Sequence, residues 1–522
     1  MEIMGSVSGL LLASTALLLS WGLFRIIYAV WWKPMRLKQF MKKQGVDGPP
    51  FELIFGNARE TMRTFFQAWA KPMSLCHDIV PRVLPFFHDV VEKYGRTCLV
   101  WYGNMPVLIV MSPDLVKEVL TNKFGQYPKT PPPPSMTALV TGLVALEGEK
   151  WAAHRKILNP AFHLEKLKGM LPTFSLSCEQ MVQRWSELIG SQASREMDVF
   201  EELQSLTEDI ISRTAFGSNF EEGKRLFEIQ KEQAKIGFES LWKIQLPGFS
   251  YLPTKANIRK KKLNDDVTSI LRGMVQRRIK EMKMGSPKKG DMLELLLESC
   301  NYNDVHEEKG SLKKMGMSID DVIEECKLFY FAGQGTTGVT LTWTMVVLSM
   351  HPEWQSRARE EVLQVCGKGA PTFDQLSQLK IVTMVLYEVL RLYSPVVMLS
   401  RHASKRMQLG HLDIPAGVQL LLPLLFMQHD PELWGEDSNE FNPERFSEGV
   451  ANAAKHQMAF YPFGCGPRIC LGYTFAMMEA KMAVAMILQH FSFELSPSYI
   501  HAPCPVMTLQ PQHGAPLIVH KL

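Results

Sequence analysis

Apolar residues recur at three- and four-residue spacing over much of the chain, and this spacing predicts a mainly helical body. Helices are predicted at 87–94, 115–121, 151–162, 181–188, 267–282, 320–350, 381–392 and 471–491. Short apolar and β-branched runs predict strands at 98–101, 107–111, 418–422 and 516–520. Clustered glycine, proline and asparagine predict loops at 129–134, 285–290, 301–310 and 439–446. The pattern therefore predicts a mainly α fold with a minor β portion.

The start of the chain follows a different pattern. Residues 3–24 contain no charged side chain and are long enough to cross about 30 Å of hydrocarbon as a helix. Basic residues that should remain cytosolic come next: Arg25, Lys33, Arg36, Lys38, Lys42 and Lys43. A cleaved signal peptide is the alternative, but it would have a shorter apolar core and a positive charge before that core. We predict a transmembrane anchor at 3–32, a basic and Pro/Gly hinge at 33–50, and one large domain at 51–522.

Composition excludes several classes of protein. A formal net charge of +4 over 522 residues is too small to indicate nucleic-acid binding. The nine cysteines include no C-x-x-C pair and no zinc spacing, so neither a disulfide framework nor a zinc module is predicted. Dispersed cysteines of this kind are typical of a reducing compartment.

The most informative segment runs from Phe463 to Gly472 and places Cys470 on a glycine-rich loop directly before an apolar helix. A thiolate there receives backbone N–H groups and the positive end of the helix dipole, which suits an axial ligand of haem iron. The glycines allow a flat macrocycle to approach the backbone. Phe463 is positioned to shield the sulfur from water, and Arg468 offers a fork-shaped donor set for a propionate.

This loop resembles the haem-ligand loop of the cytochrome P-450 superfamily, F-x-x-G-x-R-x-C-x-G, at every fixed position. The resemblance implies a cytochrome P-450 fold for the domain at 51–522, with haem b (iron-protoporphyrin IX) bound through Cys470. Further family elements follow in the expected order. Cofactor contacts are thereby expected for Cys470, Arg468, Phe463, Trp151, Arg155, Arg401 and Gly333.

Two charged elements match the family's structural cluster. Glu388 and Arg391 lie three residues apart on an otherwise apolar helix, where a buried pair requires further partners. Arg445, in the segment 441–446, supplies a third charge. We expect these residues to form a scaffold beside the haem loop and to take no part in the chemistry.

The segment 332–337, Ala-Gly-Gln-Gly-Thr-Thr, resembles the family's oxygen-activation segment A-G-x-[D/E]-T-T. Glycines weaken the helix there, and the resemblance implies that Thr336 holds iron-bound oxygen and the water that protonates it. The chain departs from the pattern at Gly335, where the family has a carboxylate. Gln334 cannot replace that acid, because an amide has no proton to relay near neutral pH. A catalytically impaired haem-binding homologue therefore stays open as an alternative to an active monooxygenase.

The same glycines also spell a dinucleotide-binding fingerprint, Gly333-x-Gly335-x-x-Gly338, with Glu353 further along the chain. That fingerprint requires a strand before the glycines and a βαβ unit around them. The preceding residues instead continue a helical pattern that begins near Ser318. A nucleotide-dependent oxidoreductase is accordingly the weakest of the three alternatives.

A finer resemblance, carried by segments 32–34, 44–50, 159–163 and 351–355, is to the plant secologanin-synthase-like family of terpenoid oxidases. It implies O2 as oxidant, a hydrophobic small-molecule substrate, and electrons from NADPH through NADPH-cytochrome P-450 reductase. It also implies a single-pass protein of the endoplasmic reticulum membrane whose catalytic domain faces the cytosol. The segments 135–146, 238–249, 396–399 and 505–509 match the family's substrate-recognition regions. Lys150, Arg155, Lys156, Lys166 and Lys168 form either a docking face for an acidic reductase or an ordinary solvated surface.

Overall fold

The computed structural model describes residues 2–121, 125–217, 220–241, 252–286, 290–301 and 316–522. Helices dominate these residues, and the prediction of a mainly α fold is confirmed. The helices are α1 Glu2–Ile27, α2 Lys33–Lys42, α3 Ala58–Trp69, α4 Val80–Val83, α5 Pro85–Tyr94, α6 Pro113–Leu120, α7 Gly142–Ala145, α8 Gly148–Leu158, α9 Leu164–Ile189, α10 Val199–Phe216, α11 Phe220–Leu241, α12 Lys255–Lys283, α13 Met292–Asn301, α14 Ile319–Met350, α15 Pro352–Cys366, α16 Phe373–Gln378, α17 Lys380–Leu392, α18 Leu424–Gln428, α19 Pro431–Trp434 and α20 Tyr473–His490.

Eleven short strands complete the secondary structure of the described residues. They are β1 Thr97–Tyr102, β2 Met105–Val110, β3 Ser194–Asp198, β4 Leu399–His402, β5 Met407–Leu409, β6 Leu412–Ile414, β7 Gln419–Leu422, β8 Phe491–Leu495, β9 Pro503–Val506, β10 Thr508–Pro511 and β11 Pro516–Lys521. All four predicted strands are among them, and the minor β portion is confirmed.

The first helix is the apolar segment predicted as an anchor. After α1, a π-helical turn at Tyr28–Trp32 leads into α2. The stretch Leu12–Lys42 is long and apolar enough to cross a membrane. The segment 33–50 was predicted as a hinge, but its first ten residues form α2. They are mostly good helix formers, and Pro34 lies in the first turn, where its missing N–H costs no hydrogen bond.

The chain divides into two compact units, of which the first comprises 2–70, 84–130 and 399–423. Its sheet has the strand order β1-β2-β7-β4. The β1–β2 and β4–β7 pairs are antiparallel, whereas β2 and β7 run parallel. Leu108 and Ile109 at the centre of this sheet are fully buried, so the sheet forms the core of the unit.

The second unit comprises 71–83, 131–398 and 424–522 and is built around α14. A capping box starts this helix, because the Ser318 hydroxyl accepts the Asp321 N–H at 3.1 Å and the Asp321 carboxylate accepts the Ser318 N–H at 3.1 Å. The helix ends at Met350, and its C-cap residue His351 directly precedes Pro352. Helices α10, α17 and α20 pack along it, and the glycines in its middle do not interrupt it.

Every predicted helix overlaps an observed one, but those predicted at 115–121, 151–162 and 471–491 extend beyond the observed ends. The helix predicted at 151–162 changes to a 3-10 turn at Asn159–Phe162, because Pro160 cannot donate to the α-helical ladder. The helix predicted at 181–188 is the second half of α9, which contains Pro172. The predicted loop at 439–446 contains a 3-10 turn at Pro443–Phe446. Of the other predicted loops, residues 287–289 and 302–310 lie outside the described residues.

Candidate active site

The loop that carries Cys470 is shaped by its glycines and by one backbone hydrogen bond. Gly464 and Gly466 have φ values of 75° and 71°, which favour glycine. The N–H of Cys470 donates to the Phe463 carbonyl at 2.8 Å and closes the loop directly before α20. Cys470 is exposed and forms no disulfide, so its sulfur is accessible at the N-terminal end of a helix of 18 residues.

Two aromatic rings connect this loop to its surroundings. The ring of Phe463 lies edge-on to Tyr473 at 4.6 Å between centroids. The hydroxyl of Tyr473 is 2.9 Å from that of Tyr387 on α17. The first turn of α20 is thereby tied to the helix that carries Glu388 and Arg391.

Phe162 brings the loop and α14 to the two sides of one ring. A methyl group placed at Gly472 would lie 3.9 Å from Phe162 and 4.0 Å from the Cys470 sulfur. The Phe162 ring stacks on Phe329 of α14 at 5.8 Å between centroids. The cysteine and the helix that carries the oxygen segment therefore approach the same region of the second unit.

Three of the predicted cofactor residues cluster beside Cys470. Arg155 donates to the carbonyl of Ile469 at 2.9 Å. The guanidinium carbon of Arg468 lies 4.1 Å from the centroid of the Trp151 ring. Arg468 also donates to the Leu146 carbonyl at 2.8 Å and pairs with the carboxylate of Glu147.

The electrostatics of this cluster favour anions. Burial lowers the pKa of Arg155, and the charge of Cys470 opposes that shift. Burial also lowers the pKa of Arg468; Glu147 opposes the shift, and the charge of Arg155 adds to it. The Arg155 guanidinium lies within electrostatic range of Cys470, and a cation there stabilises negative charge on the sulfur. The donor set therefore fits a thiolate-ligated cofactor that carries carboxylates.

Arg401 belongs to the first unit, where it lies on β4. It is buried, with 6% of its surface exposed, and its guanidinium donates to the Ser400 carbonyl at 2.8 Å. Its backbone also forms an isolated bridge with Lys129. Its predicted contact with the cofactor stays a prediction.

The oxygen segment presents different residues to different neighbours. Ala332 is exposed and Thr336 half-buried, whereas every residue from Thr337 to Leu348 is buried. The hydroxyl of Thr336 donates to the Ala332 carbonyl at 2.9 Å. The resemblance implies a ligand for this hydroxyl, whereas in the structure its proton is engaged by the backbone. With its proton engaged, its oxygen can still accept a hydrogen bond from a ligand in the opening.

Gly333 packs directly against a neighbouring helix. A methyl group there would lie 2.9 Å from two carbons of Ile211 on α10. Its missing side chain therefore permits close packing of two helices, and a direct role in cofactor contact stays a prediction. At Gly335 the corresponding methyl group would meet only Thr508, at 4.0 Å, so space is left there. All three glycines of the dinucleotide fingerprint lie inside α14, without the strand-to-helix turn that a Rossmann site requires.

Sequence reasoning missed a buried histidine–carboxyl contact that fixes α8. One partner in this contact is His154 on α8. It is 4% exposed, and its Nδ1 lies 2.6 Å from Glu325 of α14. Glu325 also accepts the N–H of Leu143 at 3.0 Å. The pair holds α8, which carries Trp151 and Arg155, against α14, which carries Thr336. The only sequence feature that indicates this pair is an acid near the start of a long apolar helix.

The charged scaffold lies where the sequence predicts it, on α17. Glu388 and Arg391 are both fully buried and form two hydrogen bonds of 2.8 and 2.7 Å. Arg445 lies 3.5 Å from Glu388 and also donates to Asp437 at 3.0 Å. The remaining donors of Arg391 reach the backbone carbonyls of Gln428, Ser438 and Glu440.

Comparison with known proteins agrees with this geometry. The family model for Cytochrome P450 matches residues 81–513. Cytochrome P450 CYP72A616 of Paris polyphylla is 51% identical over 522 residues, which cover 100% of this chain and 99% of the relative. Cytochrome P450 72A397 of Kalopanax septemlobus is 49% identical, with 96% and 95% of the two chains covered. Secologanin synthase 1 of Catharanthus roseus is 46% identical, with 97% and 96% covered. The chain therefore belongs to the cytochrome P450 family and is a monooxygenase related to plant enzymes of the 72A group.

Proposed function

We propose that this monooxygenase inserts one oxygen atom from O2 into a hydrophobic terpenoid, using electrons delivered from NADPH by a membrane-bound reductase. The observation that carries the proposal is the accessible Cys470 thiol with Arg155 and Arg468 beside it. The terpenoid class is supported by the similarity to Secologanin synthase 1 over 97% of the chain. Haem, when bound, supplies the reductive activation of oxygen and the oxidation of a C–H bond.

The residues around the loop have separable tasks in this proposal. Cys470 ligates the iron, and Phe463 keeps water from its sulfur. Trp151, Arg155 and Arg468 bind carboxylates of the cofactor through charge-assisted hydrogen bonds. The Thr336 oxygen, whose own proton is engaged by Ala332, accepts a hydrogen bond at the oxygen-binding position.

The membrane location is part of the same proposal. The apolar helix α1 anchors the protein in the endoplasmic reticulum membrane, and the basic residues that follow keep the larger part of the chain in the cytosol. Exposed Trp31 and Trp32 lie where aromatic side chains favour the membrane–water interface. Protease protection of microsomes tests this orientation, because the catalytic domain should be digested without detergent.

The predicted reductase-docking face is only partly available. Lys150 is paired with Asp321 at 2.6 Å, and Lys168 with Glu165 at 3.1 Å. Lys156 and Lys166 have no ion pair among the described residues and leave a smaller basic patch. The substrate segments 135–146 and 505–509 lie in the second unit, whereas residues 242–249 of the segment 238–249 lie outside the described residues.

Cys470→Ser, with Cys465→Ser as the matched control in the same loop, tests the ligand assignment. We expect Cys470→Ser to abolish the thiolate-type band of the reduced carbon-monoxide difference spectrum and Cys465→Ser to keep it. A terpenoid panel incubated with microsomes that contain this protein and a plant reductase tests the substrate class. An unaltered thiolate band in Cys470→Ser contradicts the proposed ligand.

One observation favours a second candidate, a haem protein with impaired turnover. Position 335 carries glycine where the family has an acid. A methyl group at Gly335 would meet only Thr508, at 4.0 Å. The two candidates differ in product formed per NADPH consumed. An impaired homologue gives a normal carbon-monoxide spectrum but no product with any terpenoid that binds.

A further inference from the structure

The carboxyl group of Glu479 on α20 is buried in the second unit, where an unpartnered acid is unfavourable. The residue is 1% exposed, and neither carboxyl oxygen has a hydrogen-bond partner among the described residues. Burial raises its pKa well above the ordinary value, and the nearby Thr337 hydroxyl opposes the shift only in part. A carboxyl in such surroundings keeps its proton at neutral pH.

The neighbour of this acid belongs to the oxygen segment. Thr337 directly follows Thr336, and its hydroxyl faces Glu479. Most other hydroxyls of α14 are engaged by the helix itself: those of Thr336, Thr340, Thr342, Thr344 and Ser349 donate to the carbonyl four residues earlier. Thr337 is thus available to connect α20 with the part of α14 that lacks the family's acid at Gly335.

Two other buried carboxylates differ from Glu479: Glu208 of α10, which bonds α14, and Glu325 of α14 itself. Glu208 accepts the Gln334 amide at 2.6 Å and the ammonium of Lys231 at 3.0 Å. Glu325 accepts the Leu143 N–H and contacts His154. Both groups therefore accept N–H or ammonium donors, whereas the carboxyl oxygens of Glu479 have no hydrogen-bond partner among the described residues.

We propose that Glu479 is the acid that supplies protons to the oxygen-binding position, through the hydroxyl of Thr337, in place of a carboxyl at position 335. This inference rests on the proposed oxygen-inserting function. Oxygen insertion takes up two electrons from the reductase and two protons while one C–H bond breaks, and it yields the alcohol and one water molecule. Glu479 gives its proton through Thr337, becomes a carboxylate, and is reprotonated from solvent.

A polar route for reprotonation crosses α9. Burial and then the charge of Glu479 raise the pKa of Cys178, so this thiol is within electrostatic range of the acid. The neighbouring Ser177 donates to Asp209 at 2.6 Å. Asp209 pairs with Arg213, whose side chain is 27% exposed. Contacts therefore connect Ser177 with the partly exposed Arg213, and the step from this chain to Glu479 belongs to the proposal.

The test compares Glu479→Gln with Glu208→Gln, which changes a buried acid of α10 that bonds Gln334 of α14. With a terpenoid substrate, we expect Glu479→Gln to lower product per NADPH about tenfold or more and to raise peroxide release, as loss of a general acid predicts. Glu208→Gln should leave coupling unchanged. Adding Gly335→Glu to Glu479→Gln should restore coupling, because position 335 has space for a side chain.

Two readouts do not depend on turnover. The infrared difference spectrum in H2O and D2O should contain a neutral-carboxyl band that Glu479→Gln removes and Glu208→Gln keeps. The carbon-monoxide spectrum should show equal haem content in all variants. If Glu479→Gln binds less haem, Thr337→Val interrupts the same proposed route and takes its place in the comparison. Unchanged coupling in Glu479→Gln, an equal loss in Glu208→Gln, or no neutral-carboxyl band assigned to Glu479 overturns the inference. If wild-type protein oxidises no terpenoid, the substrate proposal fails, and the infrared measurement still decides the state of Glu479.

Discussion

Replacing Arg391 by lysine keeps the charge of the buried scaffold but removes the shape of its donor group. All five N–H donors of Arg391 are used: two bond the Glu388 carboxylate, and three bond the carbonyls of Gln428, Ser438 and Glu440 at 2.8, 2.6 and 3.0 Å. A lysine ammonium has three donors on one atom. At least two of the five acceptor contacts are therefore lost in a fully buried environment.

The size of the effect follows from those lost contacts. A buried acceptor left unpaired costs about 1–3 kcal/mol, so two of them predict a loss of about 4 kcal/mol in the free energy of unfolding. That loss lies within the range of about 3–5 kcal/mol for breaking a buried ion pair. With an unfolding entropy of about 2.1 cal/mol/K per residue, it lowers the unfolding midpoint by about 4 °C.

Arg357→Lys is the matched control. Arg357 bonds Glu444 at 2.6 Å and stacks over Trp354, as Arg391 bonds Glu388 and stacks over Trp434. The Arg357 pair, however, is 45% and 50% exposed. An exposed pair contributes about 0.2–1 kcal/mol, so this variant should shift the midpoint by less than about 1 °C.

The assay is the loss of the thiolate-type carbon-monoxide band during heating of detergent-solubilised protein, at one fixed heating rate for all variants. A fixed rate is needed because large proteins often unfold irreversibly. The reasoning predicts a clear separation of Arg391→Lys from Arg357→Lys. Equal midpoints for the two variants would refute it, because burial is the main difference between the two pairs.

Three further predictions concern stability. Burial first and the charge of Arg391 second lower the pKa of His429 to about 4. The contribution of His429 to the free energy of unfolding is therefore complete above pH 6.5 and is lost as the pH falls to about 4. Urea titrations across that range should show a loss of about 3 kcal/mol, and His429→Gln should reduce this loss. The stability contribution of Glu479 depends on pH with the opposite sign, because burial raises the pKa of its carboxyl group. This contribution is present below about pH 4.5 and is lost as the pH rises, with a slope of about 1.4 kcal/mol per pH unit. Glu479→Gln should flatten that slope. Gly335→Ala should stabilise α14 by about 0.5–1 kcal/mol, because alanine favours the helix and has space there. Gly333→Ala should cost about 1–3 kcal/mol, because its methyl group meets Ile211 at 2.9 Å. Equal shifts of the thermal unfolding midpoint in the two variants would contradict the packing argument.

The sequence predicts the long helices and the cysteine loop because their signals are local. The three- and four-residue spacing of 320–350 reports one apolar stripe, and Ser318 with Asp321 reports the cap, both of which the structure confirms. It does not predict α10, although this helix packs closely on α14. Polar residues such as Glu208 and Asp209 occupy buried positions of α10 and obscure the apolar stripe.

The site is predicted less completely than the fold, because several of its contacts join residues far apart in the chain. Trp151, Arg155 and Arg468 follow from family spacing, but the position of Arg468 between Glu147 and the Trp151 ring does not. The His154–Glu325 pair joins residues 171 positions apart, and neither has a distinctive neighbour in sequence. The environment of Glu479 depends on helices α9, α14 and α20 together, and no local pattern reports it.

Consecutive residues of α14 point in different directions, and the proposed role of Glu479 depends on this property of the helix. A helix rotates about 100° per residue, so a six-residue motif has to meet several neighbours at once. Gly333 packs against Ile211 of α10, Thr336 lies half-buried beside the opening, and Thr337 meets Glu479 of α20. An acid on α20 can therefore reach the segment from a direction that position 335 does not use. The chemical requirement at this site is a proton held next to the oxygen-binding position, and a neighbouring helix can meet that requirement as well as the motif itself.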